Sequence, residues 1–279
     1  MEADLFRAFG DVETHLRIGA VIRKVSTNRN DIRALALAGL DLSGVRRVMD
    51  LGCAFGAFTE ALRGRVAQEA QALGVDIIPS YEEPYLEACR RAGIPGRFSA
   101  AGTALLPTLP PASFDLVLCS YSLYFFPETI PSLVRLLADK GILVAITHFR
   151  NNARELIEII KDVLRDRGKE VEKLSLEIII EGFCGENGAA LLSPHFGTVE
   201  KRDFENRLVF TPGDLETLES YLRFKAPLLF GGALAAMEGL LPAVMERLRE
   251  TVRERGVLEV SKDDRIFVCR DPLPRRGAT

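Results

Sequence analysis

The sequence predicts an α/β protein built on a mostly parallel sheet, and three observations carry that prediction. Short apolar runs alternate with helix-period patterns from residue 45 to about 149, the signature of βαβ units. The strongest runs, FDLVLCS (114–120) and GILVAIT (141–147), are nearly unbroken in Val, Ile and Leu, as strands buried on both faces are. The first run ends in DLGCAFG (50–56), whose Gly52, Ala54 and Gly56 carry almost no side chain before a helical pattern starts.

In chain order, residues 1–44 read as an N-terminal helical cap and 45–279 as the main domain. VRRVMDL (45–51) is the first strand, ALGVDI (72–77) the second and GRFSAA (96–101) a weaker third, followed by 114–120 and 141–147. Tyr85 to Ala92 is helical, with Gly93 as a C-cap residue. Leu133, Val134, Leu136 and Leu137 form a helical stripe that stops at Gly141. A longer helix starts at Asn152, with Glu155 placed as in a capping box. TVEKRDFENRLVF (198–210) is a strand with a bend, and DLETLESYLRF (214–224) a helix capped by Asp214. Residues 242–255 are helical, and VLEVSKDDRIFVC (257–269) has the form of an antiparallel C-terminal hairpin, two period-2 runs joined by a polar turn. Residues 150–195 and 212–255 exceed what the sheet needs and are read as substrate-lid or helical additions.

Composition excludes several functions. Of 279 residues 47% are hydrophobic, enough for a normal core, and the net charge of −3 supplies no global basic field for nucleic acid. The longest uncharged stretches, 99–114 and 226–237, fall short of the roughly 20 apolar residues that cross a bilayer. The N-terminus mixes acids into its apolar residues, unlike a secretory signal. A soluble, cytoplasmic protein with no membrane or DNA partner is expected. Cys53, Cys89, Cys119, Cys184 and Cys269 are scattered with no C-x-x-C pair, so neither a metal site nor a disulfide framework is expected.

The glycine turn alone fits a plain packing device as well as a ligand cradle. A phosphate loop is rejected because no Lys follows Gly56, and G-x-G-x-x-G fits poorly. Asp50, two residues before the first glycine, would repel a pyrophosphate and attract a cation. Asp76 lies where a dinucleotide fold holds ribose. A ligand with a positive group and a ribose suits the turn, and S-adenosylmethionine has both.

At this point the chain resembles a known family. DLGCAFG is similar to the first motif of class I S-adenosylmethionine-dependent methyltransferases. LGVDIIPSYEEPYLEACRRAGI (73–94), LLPTLPPASFDLVLCSYSLYFFPE (105–128) and LVRLLADKGILVAITHF (133–149) resemble the motifs that follow, in order and spacing. The resemblance implies a seven-stranded, doubly wound Rossmann-like sheet with helices on both faces. It implies S-adenosylmethionine as cofactor, S-adenosylhomocysteine as product and an enzyme that transfers methyl groups. By position it places Asp50 near the methionine amino group, the backbone of Gly52, Cys53, Ala54 and Gly56 against the cofactor, Asp76 on the ribose hydroxyls and Ile77 on adenine. Ser120 and Tyr121 border the methionyl part and the acceptor. The usual acid after the third strand is replaced by Ala100-Ala101-Gly102-Thr103, which leaves backbone groups or Thr103 to serve adenine.

Transfer from a sulfonium needs alignment more than activation, but a hydroxyl acceptor also needs a base. His148, just after the fifth strand, and Tyr121 are the catalytic candidates. Tyr124 is a wall residue, His15 a candidate to cover the cofactor, and His195 a turn residue. The expected function is methylation of a small molecule in specialised metabolism, with homodimer formation left open. The alternatives are methylation of tRNA or protein, and a cofactor-binding protein without transfer.

Overall fold

The computed structural model describes residues 2–273, which contacts divide into two compact units. One, the sheet unit, comprises 30–148, 182–204 and the residues from 264 onward. It holds β1 (Arg47–Leu51), β2 (Gln71–Val75), β3 (Gly96–Ser99), β4 (Phe114–Ser120), β5 (Leu137–His148), β6 (Phe196–Phe204) and β9 (Asp264–Pro272). With them fold α3 (Ile32–Ala36), α4 (Ala57–Glu60), α5 (Glu82–Ala92), α6 (Ile130–Leu136) and α9 (Gly188–Leu192).

The seven strands lie in the order β3-β2-β1-β4-β5-β9-β6. β1 to β5 pair in parallel, and β9 runs antiparallel between β5 and β6. Successive residues of a strand face opposite sides, and both sides are apolar here. Leu116 and Leu118 join one cluster with Phe58 and Tyr85, while Val117 and Cys119 join another with Leu133 and Phe183. That double burial is why these strands read as continuous apolar runs. The structure is the mostly parallel, doubly wound sheet that the sequence predicts. Gly93 caps α5 in the left-handed conformation (φ 73°).

The other unit comprises residues up to 29, 149–181 and 205–263. It contains α1 (Glu2–Phe9), α2 (Val12–Val25), α7 (Arg154–Asp166), α8 (Ser175–Glu181), α10 (Leu215–Ala235), α11 (Leu240–Arg255) and the two-stranded antiparallel pair β7 (Arg207–Phe210) with β8 (Leu258–Ser261). Asn206 ties the unit together: its side chain contacts Ser26 Oγ and accepts from the Asn28 amide, and its own amide donates to Asp263. α10 kinks at Gly231 (φ 65°, ψ 176°), four residues after Pro227.

Five expectations are corrected. The antiparallel C-terminal element exists, but 257–269 does not pair with itself. Its first run is β8, paired with β7, and its second is β9 in the main sheet. Period-2 patterning signals a strand and not its partner. The 198–210 strand likewise breaks at Glu205 and Asn206, its halves entering different sheets. α6 ends at Leu136 and β5 begins at Leu137 rather than Gly141, past an irregularity in the register with β4. α7 starts after Ala153 (φ 58°), and Glu155 closes no capping box, because its carboxylate accepts from Ser261 N and Oγ, each at 2.7 Å. Asp214 precedes α10 but its side chain makes no cap bond into that helix; its carboxylate turns back to accept from Thr211 N and Oγ1, closing a reciprocal box that Thr211 heads over the short turn 212–214. The five cysteines are free and buried, as isolated apolar cysteines are.

Candidate active site

The turn after β1 is the first component. Gly52 (φ 72°), Ala54 (φ 43°) and Gly56 (φ 75°) are all left-handed. The turn's amides are spoken for: Gly52 and Cys53 donate to Val75 O at 2.8 and 3.3 Å, Ala54 to Asp76 Oδ2 at 3.0 Å and Gly56 to Cys53 O at 2.8 Å. The structure also shows what comes close. A Cβ on Gly52 would sit 2.3 Å from Ser122 Cβ, and one on Gly56 2.7 Å from Ala88 Cβ on α5. Ser122 Oγ donates to Leu51 O at 2.7 Å. The glycines therefore make room for the protein's own β4 loop and α5.

The two acids differ in setting. Asp50 is only 1% exposed, beneath the turn, and its Oδ2 accepts from Thr59 Oγ1 at 2.8 Å. Burial pushes its carboxyl up to about 7, with the Thr59 bond acting against that. Asp76, at the end of β2, is half-buried. Its Oδ1 accepts from Ile77 N and Ile78 N at 2.8 and 3.1 Å, and its Oδ2 from Ala54 N. Burial raises it above the usual carboxylate value although three amides favour the charged form. Ile77 packs on Gly102, whose amide donates to Asp76 O, and Thr103 follows half-buried in a short 3₁₀ turn.

The third component lies at the ends of β4 and β5. Ser120 pairs with Ile146, and Tyr121 follows in a left-handed conformation (φ 55°) with its amide on Ile146 O. Antiparallel register sets His148, the last residue of β5, against Asp264, the first of β9. His148 Nδ1 lies 2.6 Å from Asp264 Oδ1, and Tyr121 Oη donates to Asp264 Oδ2 at 2.7 Å. His148 is 4% and Asp264 1% exposed. The Tyr121 and Tyr124 rings lie against the imidazole, with centroids 4.7 and 5.8 Å away. Burial first, and then the Asp264 charge, push both phenols upward, so both are neutral at physiological pH.

Asp264 is the residue that sequence reading missed. The segment around it, SKDDRIF, reads as a polar turn, and only the pairing of β9 with β5 gives the carboxylate its partner. In the other unit, His15 packs between Phe9 and Phe224, and burial, with Lys225, lowers it to about 4. His195 sits in a turn, its amide on Leu192 O.

Residues 48–141 match a family model described as a methyltransferase domain. That stretch runs from the first strand through the Asp76 and Tyr121 segments. Residues 48–141 are thus similar to a methyltransferase domain. It is 32% identical over 103 residues to aklanonic acid methyltransferase DauC of Streptomyces sp. (strain C5), a stretch covering 36% of this chain and 47% of that protein. The chain thus spans about half the length of that curated relative. Among solved structures it is similar in fold to YcgJ of Bacillus subtilis (TM-score 0.54, 15% identity, 93% of this chain and 100% of that one). It is also similar in fold to a putative methyltransferase of Bacillus halodurans C-125 (TM-score 0.53, 12% identity, 87% and 98%).

S-adenosylmethionine is the cofactor of this domain class, and the residues present fit it. The turn offers no basic side chain to a phosphate, and its amides are already bonded. Its polar surface is instead the acceptor-only Asp76 carboxylate, which suits hydroxyl donors. Ile77 and Gly102 form an apolar surface beside it. The sheet unit thus brings Gly52, Cys53, Ala54, Gly56, Asp76 and Ile77 together, with Thr103 next to them. Ser120 and Tyr121 lie one strand across, since β4 pairs directly with β1.

Proposed function

We infer that this protein transfers the methyl group of S-adenosylmethionine to a small-molecule acceptor. The observation that carries the reading is the convergence, at the carboxyl ends of adjacent parallel strands, of an Asp76-bearing turn and the Tyr121–His148–Asp264 group. Ligands of open α/β sheets bind at that edge. The relative named for aklanonic acid supports a small-molecule acceptor of specialised metabolism, and the net charge of −3 supports it over nucleic acid.

When bound, the cofactor supplies a methyl carbon on a positively charged sulfur that leaves as a neutral thioether. The chain's residues do the rest. Asp76 accepts from the ribose hydroxyls, Ile77 and Thr103 flank adenine, and the turn backbone from Gly52 to Gly56 faces the cofactor. Asp50 acts on the ammonium group from beneath the turn. Ser120 and Tyr121 border the acceptor, and His148 receives its proton. The protein works in the cytoplasm.

Isothermal titration with S-adenosylmethionine and S-adenosylhomocysteine tests the cofactor half, with micromolar binding of both expected. Incubation with methyl-labelled cofactor and either small-molecule extract or total RNA tests the acceptor. Label entering RNA alone would overturn the small-molecule reading.

A further inference from the structure

The Asp76 carboxylate is already heavily engaged by the protein itself. Its Oδ1 accepts from Ile77 N and Ile78 N at 2.8 and 3.1 Å, and its Oδ2 from Ala54 N at 3.0 Å. An ionised carboxylate offers about four acceptor positions, two on each oxygen. Oδ1 is therefore full, and Oδ2 has a single position left. A ribose brings a pair of neighbouring hydroxyls. Asp76 can accept from both only if one of the three amides lets go.

The three amides are not held alike. Ile77 and Ile78 directly follow Asp76, in a segment pinned to its surroundings. Asp76 N donates to Ser99 O at 3.1 Å, Gly102 N donates to Asp76 O at 2.9 Å, and Ile77 packs on Gly102. Ala54 lies 22 residues earlier, in the turn after β1. Its backbone is left-handed (φ 43°), a conformation in which a Cβ crowds the following carbonyl oxygen. Gly52 and Gly56 are left-handed too, but without a Cβ they bear no such cost. The charge-assisted bond to Asp76 Oδ2 offsets the strain at Ala54. Of the three donors, Ala54 therefore gains most by leaving.

We propose that Ala54 is a latch on the cofactor site: its amide and a ribose hydroxyl compete for Asp76 Oδ2, and cofactor binding exchanges the one for the other. This rests on the methyl-transfer reading above. The hydroxyl replaces the bond that the amide gives up, so the carboxylate stays satisfied. Ala54 is released from the left-handed region, and that release favours binding. Gly52 and Gly56, which tolerate either hand, bracket the segment that moves. The methyl group of Ala54 thus acts on cofactor affinity through the backbone conformation it penalises.

Ala54→Gly tests this, because glycine keeps the N–H and takes the left-handed conformation freely. Isothermal titration with S-adenosylhomocysteine is expected to show binding weakened about five- to tenfold against wild type, the strain of one left-handed alanine read as an equilibrium constant. The 2′-deoxy analogue of the same ligand has one ribose hydroxyl, which fits the open position on Oδ2. Wild type and Ala54→Gly are expected to bind it equally. Unchanged or tighter binding of S-adenosylhomocysteine by Ala54→Gly overturns the latch. Equal weakening for both ligands also overturns it, since a more flexible turn would do the same. A crystal structure of wild type with S-adenosylhomocysteine is the second measurement. Ala54 N is expected beyond hydrogen-bond distance of Asp76 Oδ2, with both ribose hydroxyls on the carboxylate. Ala54 N still bonded there overturns the latch and leaves the cofactor reading standing. A wild-type chain that binds no S-adenosylhomocysteine overturns the methyl-transfer reading on which the latch rests.

Discussion

Asp50 should make this protein less stable as the pH rises, the reverse of an ordinary salt-bridged acid. Its carboxyl titrates near 7 in the fold, against about 3.8 for a free aspartate, because burial disfavours the charge. Between those two values the folded chain holds more protons than the unfolded chain, so stability falls with each increment of pH. The difference is about three pH units at about 1.4 kcal/mol each, so the whole effect is about 4 kcal/mol. It is absent below about pH 4, grows to about pH 7 and is constant above. Asp50→Asn removes the ionisation yet keeps an oxygen for Thr59 Oγ1, which lies 2.8 Å away. The variant should match wild type at pH 4.5 within about 1 kcal/mol and exceed it by several kcal/mol at pH 8. Guanidinium unfolding of both chains at pH 4.5, 6, 7 and 8 measures this as a difference. A difference that does not change with pH would refute the reasoning. If the acid is kept for the cofactor's ammonium group, the stabler variant should also bind S-adenosylmethionine more weakly.

Three further outcomes are expected. Asp76→Ala should weaken S-adenosylmethionine binding by about 1–3 kcal/mol in a calorimetric titration, through the lost hydrogen bonds to a buried charge; unchanged affinity would remove Asp76 from the site. Gly52→Ala should lower stability by about 1–3 kcal/mol, because the new methyl meets Ser122 Cβ at 2.3 Å and the backbone is left-handed. Ser122→Gly in the same chain should recover the steric part, leaving about 1 kcal/mol of backbone strain. His148→Ala should lower methyl transfer to a hydroxyl acceptor by about 10²–10⁴ with cofactor affinity unchanged, and unaltered turnover would dispose of it as the base.

What could be read from the sequence was what is local. The run 114–120 spells out β4 residue for residue, because a strand buried on both faces has a composition of its own. The DLGCAFG turn was legible as a place where something approaches the backbone, but not as the place where Ser122 and Ala88 do. Those neighbours come from 70 and 32 residues further along the chain, and glycine records only that room is needed. Asp263 and Asp264 look alike in sequence. One more or one fewer residue between β8 and β9 would place a different side chain opposite His148, because antiparallel register decides which residue faces which. The same fact explains the false hairpin at 257–269: its two halves are good strands whose partners, β7 on one side and β5 and β6 on the other, no local pattern names. The cofactor half of the site hangs on short turns that follow their own strands, so motif reading reaches it. Tyr121 and His148 instead meet an acid 116 residues beyond the histidine. Local motifs therefore name the turns, while the carboxylate that faces His148 is named only by a tertiary pairing.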